Sequence, residues 1–303
     1  MKRVLITGAA GFIGRQCLPL LLEHGYEIHA TMLDAPLLDE VDVQWHQVDL
    51  LDALQIRRLV ESIAPSHLLH FAWYVAPGKY WSSPENLRWV QASLELLQAF
   101  AHVGGQRIVM AGSCMEYDWD YGYCSELVTP LHPRTLYGAS KQALCQLLEA
   151  FAREMGLSAA WGRIFFLYGP YEQPGRLVSS VISALLREEP ALCSHGNQIR
   201  DFLYVKDVAD AFVALLDKDV SGPVNIASGC PLSIRDFVYK IATQLGREDL
   251  IRLGALLTAP NDPPLLVADV RRLKEEVGWH PHYEIEAGIE ESILWWKTRI
   301  PAL

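Results

Sequence analysis

Thr7-Gly8-Ala9-Ala10-Gly11-Phe12-Ile13-Gly14 follows the apolar run 4–7 and opens a stretch with helical periodicity. Glycines at three-residue intervals permit a tight turn and a close approach of backbone to ligand. The amides at a helix start have no intrahelical partner and carry partial positive charge, so an anion placed there satisfies them. The stretch therefore predicts a strand, a pyrophosphate-binding turn and a helix, with Gly8, Gly11, Phe12, Ile13 and Gly14 at a dinucleotide. Which dinucleotide stays open. The second strand ends Thr31-Met32-Leu33-Asp34, where Asp34 is either the acceptor for the ribose hydroxyls of NAD or a turn residue. Arg15 is placed to pair with the 2′-phosphate of NADP. Asp49-Leu50 either borders the adenine or starts the next helix, with Asp49 as its cap.

Outward from this turn, β-rich runs alternate with helical periodicity. Strands are expected over 4–7, 27–32, 67–71, 107–111 and 159–166, and helices from about 12, 53 and 85 and over 136–155. Apolar strands without strict alternation indicate helices on both faces, hence an α/β fold with a doubly wound parallel sheet of Rossmann type. After Tyr168-Gly169-Pro170 the rhythm becomes irregular. This gives a dinucleotide-binding domain over 1–167 and a smaller α/β substrate-binding region over 168–303, with elements interleaved into the sheet.

The 303 residues are half apolar and one-fifth charged, which excludes disordered and fibrous classes. The net charge of -10 comes without a Lys/Arg cluster, so no nucleic-acid partner is expected. No apolar run approaches the ~20 residues of a membrane span. The six cysteines (17, 114, 124, 145, 193 and 230) show no C-x-x-C spacing and there is no leading apolar segment, so reduced thiols and a cytoplasmic location are expected. His280 and His282 lack further ligands, and no metal is expected.

Tyr137 and Lys141, four positions apart on a helix, share a face with Cβ atoms ~5–6 Å apart. An ammonium there would lower the phenol from its usual ~10 and make it a proton donor and acceptor. Ser113 closes the strand ending Ala111-Gly112, at the sheet edge where such folds present ligand groups, and its hydroxyl would bond the reacting oxygen.

With these residues in place, the chain resembles the extended short-chain dehydrogenase/reductase family of sugar-nucleotide epimerases, dehydratases and ketoreductases. Glu126 and Pro133 precede Tyr137-Gly138-Ala139-Ser140-Lys141 as in that family. Further matching blocks are 162–170 (GRIFFLYGP), 200–209 (RDFLYVKDVA), 224–229 (VNIASG) and 278–281 (GWHP). The resemblance implies Ser113, Tyr137 and Lys141 as catalytic residues, with Phe71 and Ala72 beside the cofactor. It also implies a nucleoside-diphosphate sugar held by Arg200, with Arg163 and Arg271 as possible partners and Cys114 and Phe166 near the sugar. The alternative for Arg200 is a surface pair with Asp201 or Asp207. A homodimer across helices 85–103 and 136–155 is implied as well, motivated by Leu144, Leu147, Leu148 and Phe151.

Departures from the family narrow the reaction. Cys114-Met115 replaces the acid and base of the dehydratases, and Glu116 falls one position too late on a strand end, so elimination and decarboxylation are demoted. Phe166 and Trp89 replace asparagines usual in the family. The loop 72–81 is rich in aromatic residues and either lines a sugar pocket or forms a satellite core. The expected activity is an NADPH-dependent 4-ketoreductase of a nucleoside-diphosphate 4-keto-6-deoxyhexose. The alternatives are an NAD-dependent 4-epimerase and a non-catalytic NAD(P) sensor.

Overall fold

The computed structural model describes residues 2–33, 42–258 and 262–300. The first half runs β1 (Arg3–Thr7), α1 (Gly14–Glu23), β2 (Glu27–Met32), β3 (Val43–Gln47), α2 (Ala53–Ile63), β4 (His67–His70), α3 (Glu85–His102), β5 (Arg107–Ser113), β6 (Tyr123–Cys124), α4 (Leu136–Met155) and β7 (Ser158–Ile164). The second half runs β8 (Phe166–Tyr168), α5 (Leu177–Leu186), β9 (Ala191–Leu192), β10 (Ile199–Tyr204), α6 (Val205–Asp217), β11 (Gly222–Ile226), β12 (Pro231–Ser233), α7 (Ile234–Leu245), β13 (Ile251–Arg252), β14 (Leu265–Ala268) and α8 (Ile285–Lys297).

Seven strands form one parallel sheet in the order β11-β7-β5-β4-β1-β2-β3. Successive side chains of a strand alternate between faces, and here both faces are apolar. Val4 and Ile6 join Leu18, Leu21 and Phe212 on one side, while Leu5 joins Val60, Leu96 and Leu148 on the other. This explains why the strands read as unbroken apolar runs. The glycine turn and the ends of β4 and β5 consequently share the carboxyl edge of the sheet, where α/β folds bind ligands.

The second half contributes β11 to this sheet, and α6 packs on α1. A second sheet, β12-β10-β14-β6 with β8 beside β10, sits under α5, α7 and α8. The strand expected over 159–166 is therefore two strands. Its backbone leaves the first sheet at Phe165, whose amide donates to Ile226 O at 3.2 Å, and continues as β8 in the second.

Two of the apolar positions that motivated a helix-mediated dimer face the sheet instead. Leu144 and Leu148 are fully buried, whereas Leu147 is exposed. Among the described residues no helix is long and apolar enough to cross a membrane.

Candidate functional site

At the glycine turn, Gly11 N donates to Gly8 O at 2.9 Å, and α1 begins at Gly14. Gly8 has a positive φ of 68°, and a Cβ there would meet Ala72 N at 2.8 Å. A Cβ on Gly14 would lie 2.3 Å from Gly8 O, so neither position admits a side chain. The backbone is left bare toward a cavity of about 550 Å³ that Gly8, Gly11, Phe12, Ile13, Gly14, Phe71 and Ala72 border. This lining fits a dinucleotide pyrophosphate.

Arg15 is engaged elsewhere. Its Nη2 donates to Ala10 O at 2.6 Å, its Nε reaches Ala10 O and Gly11 O at 3.2 Å, and its guanidinium stacks 3.8 Å from the Tyr171 ring centroid. The Arg15 guanidinium is thus occupied by its own turn and by Tyr171. Asp49 does not cap α2 either: it accepts Leu51 N at 2.9 Å, and Asp52 is the cap, accepting Leu54 N at 2.9 Å and Gln55 N at 3.3 Å. Asp49 and buried Leu50 lie outside the cavity lining. Asp34 lies outside the described residues.

Ser113, Tyr137 and Lys141 line the same cavity. Thr135 caps α4 through Gly138 N at 3.1 Å and so sets the start of the helix that carries Tyr137 and Lys141. Tyr137 N donates to Trp81 O at 3.0 Å, which ties that helix to the aromatic loop. Burial pushes the Tyr137 phenol well above its usual range; neighbouring Tyr80 adds to this and the Ser113 hydroxyl opposes it. Lys141 is buried, donates to Ala111 O at 2.9 Å and lies 3.7 Å from the Trp73 ring centroid. Burial lowers its ammonium to about 7, with Glu116 pulling the other way. Its one hydrogen bond among the described residues thus goes to the sheet backbone and not to the phenol it was expected to tune.

After Ser113 the chain does not continue as a strand. Residues Cys114–Glu116 form a 3-10 turn in which Ser113 Oγ accepts Met115 N at 3.2 Å and Glu116 Oε1 accepts Ser113 N at 2.7 Å. Strand alternation therefore does not apply to Glu116. It is excluded from the cavity because it is fully buried beneath it, accepting Trp161 Nε1 at 2.9 Å and Arg163 Nε at 2.7 Å. Arg163, expected at the substrate, does not line the cavity: it is buried in the core, where Nε donates to Glu116 and Nη1 donates to the Tyr117 hydroxyl at 3.1 Å.

Arg200 does line the cavity, with Phe166 and Cys114. It is buried, 5.2 Å from the Phe166 ring centroid, and pairs with Asp262 at 2.6 Å. The pairs considered from sequence do not form. Asp201 accepts Ser228 N, Gly229 N and Ala268 N, and Asp207 accepts His282 N and Tyr283 N. Arg271 is outside the cavity, 72% exposed and bound to Asp269 at 2.6 Å. Of the aromatic loop, Trp73, Tyr80 and Trp81 line the cavity around Tyr137, with ring centroids 6.5, 4.9 and 6.1 Å from its ring. Sequence reasoning missed Glu172 and Arg176, which also line it. Their only signal was a charged residue on each side of Gln173-Pro174-Gly175.

A family model described as "NAD dependent epimerase/dehydratase family" matches residues 4–227. UDP-glucuronic acid decarboxylase 1 of Xenopus tropicalis is 28% identical over 313 residues, covering 99% of this chain and 73% of its own. UDP-glucuronate 4-epimerase of Thermodesulfobacterium geofontis is 26% identical over 324 residues, covering 99% of this chain and 98% of its own. Among solved structures, MoeE5 in complex with UDP-glucuronic acid and NAD superposes with a TM-score of 0.87 at 30% identity, covering 98% of this chain and 99% of that one.

Proposed function

We propose, from the premise that this chain belongs to the NAD dependent epimerase/dehydratase family, that it is an NAD-dependent 4-epimerase of a nucleoside-diphosphate sugar. The observation that carries the reading is a single cavity holding the glycine turn, Ser113, Tyr137, Lys141 and Arg200 but no carboxylate at position 114 or 115. Elimination and decarboxylation ask for acid or base groups beyond the tyrosine; Glu116 is locked in the core, and the cavity's own carboxyls, Glu172 and Asp262, are engaged by Ser179 N and by Arg200. Reversible oxidation at one carbon asks only for a proton carrier.

A nicotinamide dinucleotide bound along Gly8–Gly14 supplies the hydride acceptor and donor that the side chains lack. In its phenolate form, which the positive nicotinamide ring of a bound dinucleotide would favour against the penalty of burial, Tyr137 would take the proton from the C4 hydroxyl and later return it to the same oxygen. Ser113 hydrogen-bonds that oxygen as it becomes a carbonyl, and Lys141 holds the nicotinamide ribose. The keto sugar turns over between the two transfers while Arg200 keeps its diphosphate. Turning needs room beside Tyr137, where Trp73, Tyr80 and Trp81 form the wall of the cavity. NAD is favoured over the expected NADPH because Arg15 is bound to Ala10 O and Gly11 O and stacked on Tyr171. The 4-ketoreductase expected from the sequence stands as the second reading.

The test is NMR of UDP-glucuronate and UDP-glucose incubated with purified protein and NAD. Inversion at C4 without net NADH supports the epimerase. No inversion of either sugar, together with stoichiometric NADPH oxidation when a nucleoside-diphosphate 4-keto-6-deoxyhexose is supplied, would replace it by the ketoreductase.

A further inference from the structure

Arg176 and Glu172 border the cavity but take no part in the proton and hydride transfers above. They come from the segment between β8 and α5, which is folded by positive φ values of 70° at Tyr171 and 87° at Gly175. Arg176 is half-buried, and its guanidinium stands 5.5 Å from the Tyr80 ring centroid. Tyr80 in turn packs edge-on against Tyr137, ring centroids 4.9 Å apart. Arg176 is thus two rings removed from the reacting oxygen.

The charges of the cavity are otherwise accounted for. Arg200 is paired with Asp262, and Lys141 donates to Ala111 O. Among the described residues Arg176 alone of the cavity's arginines has no carboxylate partner. The carboxyl that feels its charge is Glu172, which burial holds toward the neutral form, so the half-buried guanidinium is left able to pair with an anionic ligand. The chain carries a net charge of -10, so this cation is not part of a general basic surface. With Arg200 at the diphosphate, Arg176 calls for a second anion, on the sugar. The planar fork of a guanidinium matches a carboxylate with two parallel hydrogen bonds.

Glu172 completes the arrangement. It is buried, and its Oε2 accepts Ser179 N of α5 at 2.9 Å, while Oε1 has no hydrogen-bond partner among the described residues. Burial pushes its carboxyl up to about 8, against the pull of Ser179 N and Arg176, so near neutral pH it is largely protonated. It therefore donates a hydrogen bond and does not repel an anion.

We propose that Arg176, with Glu172 beside it, recognises a carboxylate on the sugar, so that the chain prefers a nucleotide-linked uronic acid to the neutral hexose. This rests on the nucleotide-sugar reading given above. The test is calorimetric titration of the full chain, with NAD present, by UDP-glucuronate and by UDP-glucose, for wild type, Arg176→Gln and Arg176→Lys. Wild type should bind the uronate roughly 10- to 100-fold more tightly. Arg176→Gln should bring the ratio of the two dissociation constants near one, and Arg176→Lys should keep part of the preference. Circular dichroism and melting check that both variants fold, and the wild-type ratio is decisive without either. A wild type that binds both ligands equally would overturn this proposal alone, as would equal weakening of both in Arg176→Gln. A wild type that binds neither would overturn it together with the nucleotide-sugar reading.

Discussion

Arg163 on β7 and Arg200 on β10 are equally buried, each 2% exposed, yet only Arg200 reaches the cavity. Both fall in blocks that resemble family motifs. The carboxylate opposite Arg163 is Glu116, itself fully buried and closed off by Trp161. The carboxylate opposite Arg200 is Asp262, 30% exposed and also in the cavity lining. The difference teaches that an arginine's burial does not decide its role; the position of its counter-charge does. A pair closed on itself in the core is structural, because releasing either charge there leaves the other unpaired. A pair that opens on a cavity can exchange its carboxylate for a ligand's phosphate.

Arg163→Ala should have the largest effect on the fold. It leaves Glu116 charged and buried, and unfolding by denaturant should lose roughly 3–5 kcal/mol. The double variant Arg163→Met with Glu116→Leu should recover much of that loss, since it removes both charges at similar volume. A wild-type unfolding midpoint in Arg163→Ala, with weakened ligand binding, would erase the contrast between the two arginines.

Arg200→Ala should do the reverse. Asp262 is 30% exposed and can be resolvated, so stability should fall by less than in Arg163→Ala. The KM for a sugar nucleotide should rise roughly 10- to 100-fold with little change for the dinucleotide. Unchanged KM with a lower melting temperature would make Arg200 structural too.

The remaining expected effect is a slope. Lys141 is lowered to about 7 in the fold from 10.5 in an open chain, so between these values the unfolded chain binds more protons than the folded one. Stability from this group therefore rises as pH goes from about 7 to 10.5. Glu172, raised to about 8 from 4.5, acts oppositely at lower pH, so the window from 8 to 10.5 isolates the lysine. Subtracting the stability–pH curve of Lys141→Met from that of wild type should leave this rise. A flat difference curve would mean that the Lys141 ammonium is not penalised by its place between Ala111 O and Trp73.

The same comparison marks how far the sequence could be read. The glycine turn, the parallel strands and the Tyr137/Lys141 face are local patterns, set by residues within a few positions of each other, and they were legible. The fate of each arginine was not. Glu116 and Arg163 are 47 residues apart, and Arg200 and Asp262 are 62 apart, so no periodicity links the partners. Arg15 lay beside a legible turn, but its stacking partner Tyr171 comes from the far half of the chain. The 3-10 turn at Cys114–Glu116 was read as strand end because the capping interaction between Ser113 and Glu116 ends the strand with no Gly or Pro among residues 113–116. Glu172 and Arg176 sit in a turn segment whose path into the cavity depends on how β8 crosses to the second sheet.

The central claim is that Tyr137 carries the proton in a reversible oxidation at C4 that begins and ends within this cavity. It is tested most directly by incubating UDP-glucuronate bearing deuterium at C4 with NAD and either wild type or Tyr137→Phe. Wild type should yield the C4 epimer with the deuterium retained. Tyr137→Phe should still bind both ligands but turn over at least ~10²-fold more slowly, since only the transferable proton is gone. Loss of the deuterium to solvent in the wild-type product, or a Tyr137→Phe rate within tenfold of wild type, would contradict the claim.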